Sequence, residues 1–139
     1  MAQSGPPDAP EQGRSGGLDA FVASVGTLTA RRDFLAAARA RKQSAPGLIL
    51  QARQRGADEI ALTEVRIGYT CSKKVGNAVA RNRAKRRLRA AAHEVLKTGG
   101  RRGWDYVLIG RRDVTASRPF PDLCADLARA LARIHGDGE

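Results

Sequence analysis

Apolar positions recur along this chain with two different periods, and the switch between them marks its elements. Over positions 64–73 the period is two. Val65, Ile67, Tyr69 and Cys71 fall on one face of an extended segment; Arg66, Gly68, Thr70 and Ser72 fall on the other. The first set suits a core. The second is small and polar with one arginine, and suits either solvent or a ligand, because half-buried antiparallel sheets show the same pattern without any function. Gly76-Asn77 then breaks the strand, and Asn77 is a good helix N-cap. A helix is predicted from there to Lys97, where Thr98-Gly99-Gly100 supplies the stop. At about 1.5 Å per residue it is roughly 30 Å long. Its apolar residues Ala84, Leu88, Ala91 and Val95 recur at gaps of four and three and form one stripe.

The same logic places the other elements. A first helix is expected from Thr29, as N-cap, through the alanine-rich run ending at Ala40, with Asp33 in its first turns. Ala45-Pro46-Gly47 ends it. Positions 48–52 read as a strand, and 56–59 as a loop. The apolar run 104–110 reads as a buried strand. After Pro119 and Pro121 a last helix over 122–134 carries the stripe Leu123, Leu127, Ala130, Leu131 and Ile134. Helix, strands, helix, strand, helix favours an α+β fold, a small sheet packed by helices. Residues 1–26 are rich in Gly, Pro and Ser and read as a disordered tail, leaving the domain at 27–135 and a short disordered end at 136–139.

Composition narrows the partners. The chain has 139 residues and a formal charge of +11, which allows one domain with a tail and points to a polyanion. Aromatics are only 4%, too few for a broad base-stacking platform. No apolar run approaches membrane-spanning length, and the N-terminus does not read as a signal peptide, so a cytoplasmic location is expected. Cys71 and Cys124 have no Cys or His at metal-ligand spacing and read as small core-filling thiols.

The charge is concentrated. Positions 66–112 hold 14 basic and two acidic residues, a net +12 over 47 residues, so the remainder is near neutral. Six of the nine residues 81–89 are basic, and all of them lie outside the apolar stripe. Arg81, Lys85 and Arg89 line up one turn apart, with Asn82 and Arg86 beside them. Like charges at that spacing destabilise a helix by about 0.2–0.5 kcal/mol per pair. Solvated faces usually mix signs; this one has no acidic residue before Glu94. That favours phosphate as the partner, and arginine, which grips phosphate bidentately and stacks on bases, suits folded RNA. A membrane-surface helix would want Trp, Phe or Leu where this one has alanine.

Ser72-Lys73-Lys74 followed by Arg81-Asn82-Arg83-Ala84-Lys85-Arg86-Arg87-Leu88-Arg89 closely resembles the signature of the protein component of bacterial ribonuclease P. Arg66-Ile67-Gly68, the arginines before Asp33-Phe34, and the strand 105–109 are similar to the family as well. The resemblance covers roughly residues 27–134. It implies a fold like domain 2 of ribosomal protein S5, with a left-handed βαβ crossover. It implies a subunit of a ribonucleoprotein endonuclease that removes the 5′ leader from precursor tRNA. The RNA subunit is then the catalyst, with Mg²⁺ bound mainly by that RNA, and the protein itself is expected to be monomeric.

Carried over residue by residue, Lys73, Lys74, Asn77, Arg81, Asn82, Arg83, Lys85, Arg86, Arg87 and Arg89 fall on the RNA-subunit contact. Phe34 falls on a leader cleft between the first helix and the sheet, with Arg31, Arg32, Arg66 and Ser72 nearby. Two positions depart from the family. A second aromatic one turn after Phe34 is replaced by Ala38, and a tyrosine common in the preceding strand by Gln51. No protein-borne catalytic residues are expected. His93 and His135 lack evident partners, the latter at a frayed end, while Asp33, Glu64, Asp105 and Asp113 are scattered and read as solvated or capping groups. The alternatives are a plain RNA-binding protein and a stand-alone protein nuclease.

Overall fold

Four strands running one way and a fifth running against them make one mixed sheet. The structure is a computed structural model that describes residues 25–56 and 64–136. In chain order these form β1 (Val25–Thr27), α1 (Arg31–Ala38), β2 (Arg41–Ser44), β3 (Leu48–Gln54), β4 (Val65–Thr70), a 3₁₀ turn (Lys73–Val75), α2 (Ala78–Gly99), β5 (Trp104–Gly110), α3 (Val114–Ser117) and α4 (Phe120–Ile134). The strand order is β1-β4-β5-β3-β2. β1, β4 and β5 run parallel, and β3 pairs antiparallel with both β5 and β2. β4, α2 and β5 therefore form a βαβ unit at the centre of an α+β fold.

Alternation along the strands sorts the two faces. Leu48, Leu50 and Ala52 of β3, Val65 and Ile67 of β4, and Tyr106 and Leu108 of β5 share one face and one core with Ala84, Leu88, Ala91, Ala92 and Leu96 of α2. Leu123, Leu127, Ala130, Leu131 and Ile134 of α4 complete that core. Small alanines along α2 let the helix lie close on the sheet. The opposite face carries a smaller cluster of Leu28, Ala37 and Val107, with Phe34 and Ile109 packed against it, and is covered by α1.

Several expectations are met and several need correction. β5 spans the expected residues, and all five stripe positions of α4 are buried. Asn77 caps α2, its Oδ1 accepting the Ala80 N–H at 2.9 Å. The apolar stripe of α2 is broader than four residues: Ala92 and Leu96 are buried, while Val95 is only partly so. α1 is shorter than expected, capped at Ala30 rather than Thr29 and ending at Ala38. The polar run 41–44 pairs with β3 as an edge strand. Val25 and Gly26 belong to β1 rather than to a tail. The rest of the expected tail, the loop positions 57–59 and the last three residues lie outside the described residues.

His135 is not frayed. It shares a 2.8 Å hydrogen bond with the Tyr106 hydroxyl and meets the Trp104 ring edge-on at 4.5 Å. The Tyr106 hydroxyl also accepts the Arg101 N–H at 2.8 Å. Burial pushes the Tyr106 phenol up to about 12, against the opposing pull of Arg101.

Asp105 is neither solvated nor capping. It is wholly buried on the α1 face of β5, in register between Arg66 of β4 and Arg53 of β3. Arg66 donates to it through both Nε and Nη2 at 2.8 Å. The fully buried Arg55 reaches Asp105 Oδ1 at 2.5 Å, and Arg53 approaches the other oxygen at 3.5 Å. Arg55 also donates to the carbonyls of Trp104 and Glu64, at 3.1 and 2.6 Å. Arg66 extends the cluster to Asp33 of α1 at 3.7 Å. One carboxylate thus joins β3, β4 and β5, and Arg66 carries the link to α1.

Breaking such a buried cluster by removing one charge leaves the others uncompensated, which typically costs about 3–5 kcal/mol. Asp105→Asn is expected to lower the unfolding free energy by that amount in urea denaturation. A loss below about 1 kcal/mol would fit only a solvated pair and would contradict the cluster's role.

Candidate nucleic-acid interface

The basic side of α2 begins on rigid backbone. Ser72 caps the 3₁₀ turn, its Oγ accepting the Lys74 N–H at 3.2 Å. Asn77 then caps α2, and Arg81 Nη1 donates to the Gly76 carbonyl at 2.8 Å, bracing the turn between them. Lys73 and Lys74 are exposed on this turn, and Asn82, Arg83 and Arg86 are exposed along the helix. Lys85 is half-buried, and the Arg89 guanidinium lies over the Tyr69 ring at 5.1 Å.

Among the described residues, none of Lys73, Lys74, Arg83, Lys85 and Arg86 has an acidic partner within ion-pair distance. Arg87 differs from these. It is half-buried and donates to the carbonyl of Arg118, the C-cap of α3. The structure therefore uses Arg87 to dock one helix on another.

The second surface lies on the other face of the sheet. α1 and the strands beneath it enclose an open groove of about 430 Å³. Phe34 forms one wall, Val107 and Ile109 the floor, and Arg31 stands at the rim. The Phe34 ring rests on Gly68, where a Cβ would come within 2.6 Å of it. Any other residue at 68 would push the ring off the sheet. Ala38 and Gln51, the two positions where the resemblance leads one to expect rings, line the same groove.

The other expected residues are placed differently. Arg32 is exposed. Arg66 is held by Asp105 and Asp33, and Ser72 by its capping bond. The strand end joins the surfaces, because Thr70 lines the groove and Ser72-Lys73-Lys74 opens the basic side of α2.

Sequence reasoning missed the buried carboxylates. Asp105 holds the cluster described above. Asp126, also wholly buried, takes Arg118 through Nε at 2.5 Å, Arg129 at 2.9 Å and the Gly47 N–H at 2.9 Å. Gly47 is required there, since a Cβ would fall 2.7 Å from Asp126 Oδ2. The only local signal in the sequence is the Arg129 three residues beyond Asp126, at a spacing where helical side chains meet. No three of the described His, Cys, Asp and Glu residues converge as a metal-binding set. Burial pushes the thiols of Cys71 and Cys124 up, away from reactive thiolate. No described helix is long and apolar enough to cross a membrane.

Comparison with known proteins agrees with this architecture. The sequence profile of the Ribonuclease P family matches residues 24–135. The ribonuclease P protein component of Ruegeria pomeroyi is 61% identical over 111 residues, covering 80% of this chain and 87% of that protein. The one from Paramagnetospirillum magneticum is 48% identical over 115 residues, covering 82% and 86%. Among solved structures, the ribonuclease P protein of Thermotoga maritima superposes with a TM-score of 0.62 at 27% identity, over 78% of this chain and 96% of that one. The Staphylococcus aureus protein gives 0.59 at 22% identity, over 78% and 95%, and supports the fold alone. The chain belongs to the bacterial ribonuclease P protein family, the protein subunit of a ribonucleoprotein endoribonuclease.

Proposed function

We propose that this chain binds the RNA subunit through the 3₁₀ turn and the basic side of α2, and holds the 5′ leader of precursor tRNA in the groove under α1. The observation that carries this reading is the separation of the two surfaces. One is single-signed and has no acidic partner among the described residues. The other is a groove walled by Phe34 with an arginine rim, on the opposite face of the sheet.

Each surface suits its RNA. Exposed arginines and lysines on a rigid helix neutralise phosphates and release counterions without a matching protein rearrangement. In the groove, Phe34 offers one ring face to a base and Arg31 a charge to the backbone. With Ala38 and Gln51 in place of rings, leader binding relies less on stacking and more on the groove's shape and rim.

The chemistry belongs to the RNA subunit and its Mg²⁺. Both buried carboxylates among the described residues are occupied by arginines, so they are not available to hold a metal ion. The protein's part is to lower the repulsion where two RNAs and metal ions crowd together, and to orient the leader.

Cleavage of precursor tRNA at low Mg²⁺, by the RNA subunit alone, the protein alone and the two together, tests this reading. Efficient cleavage is expected only from the pair. Cleavage by the protein alone would instead indicate a protein nuclease, and no gain over the RNA alone would indicate a plain RNA-binding protein.

A second prediction separates the members of the basic set. Arg86→Gln should reduce the salt dependence of RNA-subunit binding by about 0.7–0.9 per lost phosphate contact, with stability within about 0.5 kcal/mol of the parent. Arg87→Gln should cost about 1 kcal/mol of stability, because it removes the bond to the part-buried Arg118 carbonyl. Equal effects of the two substitutions on stability would remove the distinction.

A further inference from the structure

Every fourth residue of α2 from position 81 is basic or histidine: Arg81, Lys85, Arg89, His93 and Lys97. At 3.6 residues per turn, each step of four gains about 40° on a full turn, so the row winds about 160° around the helix. It leaves the signature face and ends at the β1–β4 edge of the sheet. There Arg89, His93 and Lys97 form the wall of a pocket of about 340 Å³, floored by Val25, Ile67 and Ala92. Tyr69 completes it, with Arg89 set over its ring at 5.1 Å. Among the described residues no acidic group lines the pocket, and His93 and Lys97 are exposed.

We propose that this pocket takes one unpaired nucleotide of the RNA subunit, its base against the apolar floor and the Tyr69–Arg89 pair, its phosphate on His93 and Lys97. The inference rests on the reading that α2 binds the RNA subunit, and extends that contact to the C-terminal half of the helix. Several features favour a nucleotide over a protein segment. The pocket continues the same single-signed row that faces phosphates at the signature. It combines an apolar slot with cations at its wall, which matches a base attached to a phosphate. A guanidinium already stacked on a ring presents its outer plane to a base while its N–H groups remain free to meet phosphate. Burial raises the Tyr69 phenol, outweighing the effect of Arg89.

Base-specific chemical probing of the RNA subunit, with dimethyl sulfate and a carbodiimide, in complexes with the full chain, tests the proposal. Three proteins are compared: the parent, His93→Gln/Lys97→Gln and Arg83→Gln/Arg86→Gln. All four substituted residues are exposed, so the fold is retained. The parent is expected to protect one or two unpaired bases that become reactive with His93→Gln/Lys97→Gln, while the remaining protections persist and affinity falls about tenfold. Arg83→Gln/Arg86→Gln should lose other protections and keep these. If the His93→Gln/Lys97→Gln complex forms with all protections of the parent, the pocket holds no nucleotide, although α2 still binds RNA. If the parent itself protects nothing, both the pocket proposal and the underlying reading are wrong.

Discussion

The architecture turns on one buried carboxylate. Asp105 sits on the central strand and accepts from Arg55 and Arg66, with Arg53 close by, so three neighbouring strands share one charge. A lone buried carboxylate would be costly, as would the buried Arg55 without it, and the partly exposed Arg53 and Arg66 complete the set. That requirement fixes what lies above it. Arg66 can reach Asp33 only if α1 lies across this part of the sheet. With α1 there, Phe34 rests on Gly68 and the groove beneath it has its width. The groove proposed for the leader is thus shaped by an electrostatic constraint that lies outside it.

The opposite face works by the reverse rule. Asp126 and Asp105 neutralise arginines inside the fold, whereas the exposed bases of α2 have no described acidic partner. Repulsion along α2 is held in check by the apolar side, where Leu88, Leu96 and the alanines pack on the sheet and on α4. Burial of that stripe keeps the helix formed despite its charge. The positive field is then left for the proposed RNA contact, and the sheet separates it from the groove under α1.

Long periodic segments were legible in the sequence, because their burial is written in their own spacing. β4, α2 and α4 follow from apolar residues two or three to four apart, and β5 from a short apolar run. β1, β2 and α3 were not legible. Three or four residues carry too little period, and Arg41-Lys42-Gln43-Ser44 is an edge strand whose pairing comes from the backbone and from β3. The basic signature was readable as a set, but the division of labour within it was not. Arg87 looks like Arg86 until the end of α3 brings the Arg118 carbonyl to it from 31 residues away. Asp105 looks solvated for the same reason, since its partners lie 39 to 52 residues earlier. Such roles depend on topology, and local pattern does not contain them.

The central claim is that two different RNAs occupy opposite faces of one sheet. Hydroxyl radicals released from iron–EDTA tethered to the protein test it most directly. Tethers placed by Ala38→Cys in the groove and Ala90→Cys on α2, each with Cys124→Ser, sit at exposed positions. In the complex with the RNA subunit and precursor tRNA, position 38 should cut the leader and position 90 the RNA subunit. If both positions cut the same RNA, or position 38 leaves the leader intact, the account is contradicted.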